Sequence, residues 1–530
     1  MTTDLDGLYG LGELDGPLKA TLDGLEAARA VSRLWNHDHT LWSPEPTEIV
    51  DRLGWLDVLD DMEAQRGRID DFVARLNREG FTHCVLMGMG GSSLFPEVIA
   101  RSFPTGPSGL ELRVLDTTDP VAVARTSATV PHPHTLFLAA SKSGGTIETR
   151  SHLEYFWDLV GDPNRFAVIT DPGSDLAALA HDRGFREVFE NRTDIGGRFS
   201  ALSLFGLVPA ALAGVDWFAL VERARDRTEA LRSDDPTVNP GLWLGAVMAS
   251  AVTAGRDKLT LVLDPRVEAF AAWIEQLVAE SLGKAGTGII PVVDEALGSV
   301  DAYGPDRLFV AIGTPDHPAG LAALSEAGHP VVHLPLDDPL DLGDQALVWE
   351  VATALTASVL GVNAFDQPNV AEAKDATAAV LGGSTDLPTS PPLADLLATV
   401  RPGDYLSIQA YLDPEGDDYD ALVGVRLELR DALGVAVTLS PGPRFLHSTG
   451  QLHKGDRGNG LFIQFVSDTA EDVAIPDEAG DAATSMTFNV LKKAQALGDA
   501  QALRDNHRRV ISFEVGTTAA QAIEELAAKL

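Results

Sequence analysis

Short apolar runs recur along most of the chain, and stretches with helical spacing separate them. In the first third of the chain the runs are His83–Met89, Leu110–Asp116, Thr135–Ser141, Phe166–Thr170 and Arg186–Glu190. Stretches such as Ile147–Val160 and Ser174–Gly184 repeat apolar residues at the spacing of an amphipathic helix. Alternation of buried strands with helices predicts a parallel sheet that is covered by helices on both faces.

The same alternation starts again near Asn239. Its strand candidates are Leu259–Asp264, Ile289–Val293, Leu308–Gly313 and Val331–Leu336, and its expected helices are Glu268–Gly283, Ala319–Ala327 and Gln345–Leu360. A third, smaller set of candidate strands comprises Tyr405–Leu412, Ala436–Ser440, Leu461–Val466 and Val510–Val515. The first two sets therefore look like one doubly wound fold used twice.

These patterns predict an α/β protein of four parts. Residues 1–80 carry only helical spacing and should wrap the next domain. Residues 81–235 and 236–382 should form the two doubly wound parallel-sheet domains, and residues 393–530 a smaller C-terminal α/β unit. The segment Gly382–Pro392, rich in Gly, Pro, Ser and Thr, is the predicted linker before that unit.

Composition places the chain among soluble proteins. Hydrophobic residues make up 45% of its 530 residues, no run of 18 apolar residues occurs, and Met1–Gly10 lacks the pattern of a signal peptide. The only cysteine, Cys84, lies in an apolar run, so we expect a buried structural thiol without an intramolecular disulfide. A reducing compartment, and hence a cytoplasmic location, follows from this cysteine content.

The formal net charge of −38 excludes two classes of partner. Nucleic acids and anionic membranes would both be repelled by such a chain. An anionic small molecule would be repelled as well, so a site for a phosphate must supply its own hydrogen-bond donors and positive charge.

Two loops that follow predicted strands have the composition of such a site. Gly88–Ser93 is rich in glycine and serine, although a tight strand-to-helix turn would look the same. Ser141–Thr146 offers hydroxyls, one lysine and two glycines directly before a predicted helix, which suits a phosphate monoester. The alternative for Ser141–Thr146 is a helix cap with a surface lysine.

Two further segments carry candidate catalytic groups. Arg198 follows two glycines beyond the last strand of the first domain, where it could hold a developing oxyanion or could be an ordinary surface arginine. Glu280 lies on the last turn of a helix that should end at Gly283, where it could serve as a general base or be a solvated helical glutamate.

Five segments in one order resemble the signature stretches of glucose-6-phosphate isomerases. They are Gly88–Ser93, Ser141–Thr146, Ile195–Ser200, Ala279–Lys284 and Phe365–Lys374. The resemblance covers nearly the whole chain, and it is closest to the isomerase half of fused transaldolase–glucose-6-phosphate isomerases. The transaldolase half is absent, because the N-terminal 80 residues are too short for a barrel with a Schiff-base lysine.

The resemblance implies two sugar-isomerase (SIS) domains and aldose–ketose isomerisation through an enediolate, with neither metal nor redox cofactor. Ser141, Ser143 and Thr146 would hold the phosphate with help from Lys142, and Gly90, Gly91, Ser92 and Gln367 would line the sugar site. Glu280 would be the base, Arg198 would stabilise the enediolate, and Lys374 would aid ring opening or orientation of the substrate. A homodimer is the family's common state.

The resemblance does not extend to the family's ring-opening histidine. That residue normally precedes the Phe-Asp-Gln run, within an Asn-Gly-Gln-His stretch, and nothing like it stands before Phe365. After that run the segment Leu446–Gly455 contains His447 and His453, and His453 follows Gly-Gln with one extra residue. We predict His453 as the proton shuttle for ring opening, with His447 as the alternative and a structural role for both as a third interpretation.

Other functions are compatible with parts of this pattern. A dual glucose/mannose-6-phosphate isomerase, or a related isomerase, would use the same residues. A sugar-phosphate sensor would not need Glu280 or Lys374, and the usual DNA-binding helix of such regulators is not evident in the sequence. An amidotransferase-type synthase would need an N-terminal catalytic cysteine, and Cys84 is in the wrong place.

Overall fold

The computed structural model describes residues 10–383, 392–469, 472–478 and 484–515. The chain begins with three helices, α1 (Asp15–Ala27), α2 (Ala30–Trp35) and α3 (Val58–Arg78). Helix α3 buries Ile69, Phe72 and Leu76 on one stripe, and Phe72 makes an edge-on contact with Phe189 of the following domain. The predicted helical wrap is therefore present, although short 3₁₀ turns replace regular helix between α2 and α3.

The first sheet has five parallel strands in the order β2-β1-β3-β4-β5. Its strands are β1 (His83–Met87), β2 (Glu111–Leu115), β3 (Thr135–Ala140), β4 (Phe166–Thr170) and β5 (Glu187–Glu190). The helices of this part are α4 (Leu94–Ser102), α5 (Pro120–Thr129), α6 (Ile147–Val160), α7 (Asp175–Asp182), α8 (Leu204–Leu212) and α9 (Trp217–Leu231). All six residues of β3 are buried, as a strand covered on both faces requires.

The second sheet has four parallel strands in the order β7-β6-β8-β9. It contains β6 (Lys258–Leu263), β7 (Ile290–Val292), β8 (Arg307–Ile312) and β9 (Val331–Leu334). The helices of this part are α10 (Pro240–Thr253), α11 (Phe270–Leu282), α12 (Pro318–Glu326) and α13 (Leu342–Leu360). The prediction of two doubly wound parallel sheets is confirmed.

The C-terminal part repeats this strand order a third time. Helices α14 (Val370–Leu381) and α15 (Leu393–Leu397) precede a parallel sheet in the order β11-β10-β12-β15. Its elements are β10 (Tyr405–Tyr411), α16 (Asp417–Leu433), β11 (Ala436–Pro441), α17 (Gly450–Gly455), β12 (Gly460–Ser467), α18 (Phe488–Asp505) and β15 (Arg509–Val515). A two-stranded ribbon, β13 (Ala474–Ile475) with β14 (Met486–Thr487), was not predicted. Most of the predicted linker, residues 384–391, lies outside the described residues.

Helix α18 connects the C-terminal sheet to the first one. The buried Lys492 ammonium on α18 donates to Asp119 Oδ2 at 2.8 Å, and Thr118 Oγ1 donates to Gln495 Oε1 at 2.8 Å. Both partners, Thr118 and Asp119, lie between the end of β2 and the start of α5. The C-terminal unit is thus fixed against the edge of the first sheet where ligands of parallel α/β folds bind.

Two expectations from the sequence, on the thiol of Cys84 and on membrane-spanning helices, can be compared with the structure. Cys84 is fully buried in β1, and burial raises the pKa of its thiol, so it is a packing residue rather than a nucleophile. Among the residues that the structure describes, no helix is long and apolar enough to cross a membrane.

Glu350, in the middle of α13, is a buried acid with a testable effect on stability. It is 1% exposed, its Oε1 has no hydrogen-bond partner among the described residues, and burial raises its pKa well above the ordinary value. Folding must therefore protonate Glu350 at any pH between its unfolded pKa and the higher folded one. In that window, stability falls as the pH rises, by about 1.4 kcal/mol per pH unit.

We expect Glu350→Gln to unfold at a higher temperature than the parent chain, with a larger difference at pH 8 than at pH 5. Thermal unfolding of both proteins at the two pH values measures this. The exposed Glu326→Gln serves as the control and should show no such pH-dependent difference. Equal unfolding temperatures for the parent and Glu350→Gln at pH 8 would contradict the raised pKa of Glu350.

Candidate active site

The loop Ser141–Thr146 joins the carboxyl end of β3 to the start of α6. Ser141 Oγ accepts a hydrogen bond from Gly144 N at 3.2 Å and lies 3.1 Å from Thr146 Oγ1, and Ser143 Oγ accepts from Gly145 N at 3.2 Å. Gly144 has a φ of +74° and approaches Leu176 so closely that a Cβ would clash. The loop thus gathers hydroxyls and amides at the positive end of a 14-residue helix, as an anion site requires.

Lys142 points away from this group of hydroxyls. Its ammonium donates to Asp171 Oδ2 at 2.5 Å and to the carbonyl of Thr193 at 2.7 Å. These contacts tie the loop to the ends of β4 and β5. The contribution expected of Lys142 is therefore limited to its backbone and to holding the loop in shape.

The glycine loop after β1 packs against two other loops of the site. A Cβ on Gly91 would lie 2.0 Å from the carbonyl oxygen of Gly197, which precedes Arg198. A Cβ on Gly90, whose φ is +55°, would lie 2.7 Å from the carbonyl oxygen of His447. These two glycines are needed for the close approach of three loops, and the neighbouring Ser92 stays partly exposed.

Arg198 is buried at the centre of these loops, with 1% of its surface exposed. Its Nε donates to Ser281 Oγ at 2.7 Å, and its Nη2 donates to the backbone carbonyls of Ala364 and Asp366. The remaining nitrogen, Nη1, lies 3.4 Å from Glu280 Oε1. Burial lowers the pKa of the guanidinium, which Glu280 and Asp366 partly offset. Arg198 is therefore not a surface arginine.

Glu280 lies on the last turn of α11 and is 5% exposed, which excludes a solvated helical glutamate. One oxygen faces Arg198, and the other accepts from Gln276 Nε2 at 3.1 Å. The same Gln276 nitrogen donates to the backbone carbonyl of His447 at 2.8 Å. Gln276, one turn before Glu280, thus connects the carboxylate to the histidine loop of the C-terminal unit.

The segment Phe365–Lys374 is held against α11 from two sides. Lys284 donates to the carbonyl of Asn363 at 2.9 Å and to Asp366 Oδ1 at 2.8 Å, and burial lowers its pKa to about 8. Gln451 accepts from Asn369 N at 2.9 Å and donates to the carbonyl of Gly283 at 3.0 Å. Gln367 is exposed between these two anchors.

His447 connects the C-terminal unit to the first unit through Glu148. Its Nε2 lies 2.9 Å from Glu148 Oε1, and Gln495 of α18 donates to the same oxygen at 2.6 Å. Burial by itself would raise the pKa of Glu148, but the charge and hydrogen bond of His447 lower it below its ordinary value. Because the carboxylate accepts from Nε2–H, the other ring nitrogen, Nδ1, is the basic one.

A cavity of about 240 Å³ brings three residues that the sequence analysis singled out, Thr146, Lys374 and His447, together with Glu148, which it did not. Lys374 is exposed on α14, so its ammonium is accessible from this cavity. A phosphate on the hydroxyl loop would therefore have Lys374 and His447 as near neighbours.

His453, the residue predicted for ring opening, lies elsewhere. It is 2% exposed, its ring contacts the rings of Phe445 and Phe462, and its Nδ1 lies 3.3 Å from Gln409 Nε2. Burial lowers its pKa well below the ordinary value. The residues that line the cavity include His447 but not His453, so the geometry favours the alternative, His447, for ring opening.

Sequence reasoning missed Gln276, Glu148 and Gln495. Glu148 stands two residues after Thr146 in the first turn of α6, so extending the hydroxyl motif by one helical turn could have found it. Gln276 stands one turn before Glu280 on the same helix. Nothing in the sequence connects Gln495 to the site, because its contact depends on how α18 packs.

The comparisons with known proteins all lead to one enzyme family. The family model for phosphoglucose isomerase matches residues 57–304. The chain is 31% identical to a glucose-6-phosphate isomerase from Synechococcus sp. over 59% of its length and 70% of the relative's. It is 30% identical to a glucose-6-phosphate isomerase from Cyanothece sp. over 67% of its length and 75% of the relative's.

A solved structure shares the fold. The crystal structure of a glucose-6-phosphate isomerase from Chlamydia trachomatis superposes with a TM-score of 0.54 at 19% identity, over 68% of this chain and 78% of that one. At this identity the likeness concerns the fold alone.

Proposed function

Because the chain belongs to the phosphoglucose isomerase family, we propose that it interconverts glucose 6-phosphate and fructose 6-phosphate by proton transfer through an enediolate. The observation that carries the proposal is the pair formed by Glu280 and Arg198, two nearly fully buried groups 3.4 Å apart. A base beside a fixed cation suits removal of a carbon-bound proton, since the charge that forms on the neighbouring oxygen is stabilised at once.

The phosphate would bind at the Ser141–Thr146 loop. Hydroxyls of Ser143 and Thr146 and amides of the first turn of α6 would donate to its oxygens, and Lys374 would add positive charge from α14. This local supply of donors matters because the chain as a whole repels anions.

Ring opening would be the task of His447. Its basic Nδ1 would take the proton of the anomeric hydroxyl, on C1 of glucose 6-phosphate or C2 of fructose 6-phosphate, and return a proton to the ring oxygen, while Glu148 stabilises the imidazolium through Nε2–H. Gln495 keeps the Glu148 oxygen in place at 2.6 Å. Lys374, on the other wall of the cavity, would help to orient the open chain.

Isomerisation of the open chain would then follow at Glu280. In the direction from aldose to ketose, the carboxylate takes the proton from C2, electrons move to the carbonyl at C1, and Arg198 stabilises the resulting enediolate. Glu280 then returns the proton to C1, while the proton of the C2 hydroxyl passes to the oxygen on C1, which gives the C2 ketone and the C1 hydroxyl. Gln276 fixes the orientation of the carboxylate, and Gly90, Gly91, Ser92 and Gln367 would border the sugar.

We also place this activity in the cytoplasm. The proposal is supported by Cys84 as the single, buried thiol, which suits a reducing compartment.

The proposed activity is tested with purified protein and fructose 6-phosphate, with glucose 6-phosphate formation followed by a coupled dehydrogenase. We expect turnover that EDTA leaves unchanged. Absence of turnover with glucose and mannose phosphates alike would overturn the proposal.

Ser143→Ala combined with Thr146→Ala should raise KM by roughly 10- to 100-fold per hydroxyl, because a hydrogen bond to a charged group contributes about 1.5–3 kcal/mol.

His447→Ala separates ring opening from proton transfer. We expect kcat on fructose 6-phosphate to fall at least about tenfold, within the usual range for a general acid–base group. Exchange of the C2 proton of erythrose 4-phosphate with deuterium should continue, because this sugar cannot close a ring. His181→Ala, an exposed histidine on α7, is the matched control and should keep full activity.

Two results would revise this assignment. A loss in His453→Leu but not in His447→Ala would return ring opening to His453. Equal loss of turnover and of deuterium exchange in His447→Ala would assign His447 to the enediolate step instead.

A further inference from the structure

A second cleft lies beside α11 and is lined by other residues than the cavity at His447. Its volume is about 650 Å³, which makes it much larger than the cavity beside His447. Strand β2, the segments that follow β7 and β10, and the end of β11, drawn from all three parallel sheets, border it. We call it the junction cleft, and its polar wall includes Asp116, Glu275, Asp294, Tyr419 and Arg444.

Two carboxyl groups in the junction cleft each have an oxygen without a hydrogen-bond partner in the part of the chain that the structure describes. Glu275 is 6% exposed and Asp116 is 4% exposed, and the oxygens are Glu275 Oε1 and Asp116 Oδ2. A buried acceptor without a donor costs free energy, and native structures contain few of them. Both side chains line the cleft, so a ligand that brings donors there can pair with their carboxyl groups.

The charges around the junction cleft favour a cationic ligand. Arg444 is already paired with Asp116 at 2.8 Å and with Glu97 at 2.6 Å, and Arg125 is paired with Asp413 and Glu415. Among the described residues, no side-chain hydrogen bond or ion pair engages Glu268, Glu275, Asp294 or Arg113, although the charges of Arg444 and Arg426 act on Glu275. Three acids, of which Glu275 holds a proton in the free protein at neutral pH, and one base therefore remain for a ligand, together with the free oxygen of Asp116.

The geometry favours an organic cation over a metal ion. Among the described residues, no three His, Cys, Asp or Glu side chains are placed so that they could hold a metal. Tyr419 adds aromatic surface to the wall, and an aromatic ring attracts an ammonium group that lies over its face. The size of the cleft also exceeds what a single ion needs.

From these observations we propose that the junction cleft binds a small organic diamine, with one ammonium group on Glu275 and Asp294 and the other on Asp116. Carboxylates would accept from the ammonium groups, and Tyr419 would pack on the carbon chain between them. This site is separate from the proposed isomerase site and does not depend on that function.

A linked release of protons follows from the same arrangement. Burial, with Asp294 nearby, raises the pKa of Glu275 to about 8, so the free protein holds a proton there at neutral pH. An ammonium group would displace that proton. Arg444 and Arg426 also face Glu275, and both act against the rise.

Titration calorimetry with 1,4-diaminobutane, in 0.15 M salt at pH 7 and pH 9, tests the proposal on the full chain. We expect one saturable site, tighter at pH 9, and release of up to one proton at pH 7 when buffers of different ionisation enthalpy are compared. Glu275→Gln and Asp116→Asn should each weaken binding at least about tenfold. Asp60→Asn, an exposed acid on α3 that changes the net charge equally, should leave binding unchanged.

A second pair of variants keeps the test decisive if a buried substitution prevents folding. Tyr419→Leu should weaken binding, and Tyr419→Phe, which retains the ring, should not. Equal weakening by Asp60→Asn and Glu275→Gln would show non-specific attraction to an acidic protein and would overturn the proposal. Saturable binding of Mg²⁺ that excludes the diamine, or no binding at all, would overturn it as well.

Discussion

Glu280→Gln should retain substrate binding and lose roughly 10²- to 10⁴-fold in kcat. Glutamine keeps the size of the side chain and can still accept from Gln276, but it cannot take a proton from carbon. KM should change little, because the carboxylate acts mainly in the transition state. Initial rates of fructose 6-phosphate isomerisation at several substrate concentrations measure both constants.

The control for this prediction is Glu326→Gln, a glutamate at the last turn of α12 that is exposed rather than buried. It should keep the parent kcat. If Glu280→Gln kept half of the parent activity, Glu280 would not be the base, and the buried Glu280–Arg198 pair would need another explanation.

Arg198→Lys should lower kcat by roughly 10²- to 10³-fold, the loss that follows removal of one stabilising donor from an oxyanion site. Lysine keeps the charge but cannot donate at once to Ser281 and to the carbonyls of Ala364 and Asp366 while it also faces Glu280. The guanidinium therefore has no equivalent at this position. Steady-state kinetics with thermal unfolding of the same sample separates catalysis from folding.

Two further variants test whether a loss of activity in Arg198→Lys comes from the catalytic role of Arg198. Arg223→Lys, half exposed on α9, should be indistinguishable from the parent. Ser281→Ala removes only the hydrogen bond to Nε and should cost less than Arg198→Lys. A rise in KM with an unchanged kcat in Arg198→Lys would make Arg198 a ground-state binding group rather than a stabiliser of the enediolate.

The strands of all three sheets could be predicted from the sequence because both faces of each sheet are covered. Strands such as Thr135–Ala140 and Phe166–Thr170 then appear as continuous apolar runs with clear ends. The ribbon of β13 and β14 has only two residues per strand, which is too short for any periodicity to show. Its existence depends on packing against α6 and α18.

The candidate site was only partly predictable for a different reason. Motif residues such as Arg198 and Glu280 stand in characteristic local sequences, but the choice between His447 and His453 depends on which way each ring faces. His447 ends a 3₁₀ turn just before α17, and its ring faces Glu148 of the first unit, whereas His453 lies within α17 and its ring packs against Phe462 of its own unit. Sequence spacing contains no information about that docking.

The placement of His447 on the C-terminal unit divides the proposed reaction between parts of the chain. Proton transfer between carbons would use Arg198 and Glu280 of the first two units, whereas cyclic sugars would depend on a residue carried by the third. Loss of the Lys492–Asp119 contact would then leave an enzyme that exchanges protons on open-chain sugars but turns over cyclic ones slowly. In cells, where sugar phosphates are mostly cyclic, the flux through such an enzyme would be set by the attachment of one domain rather than by its catalytic pair.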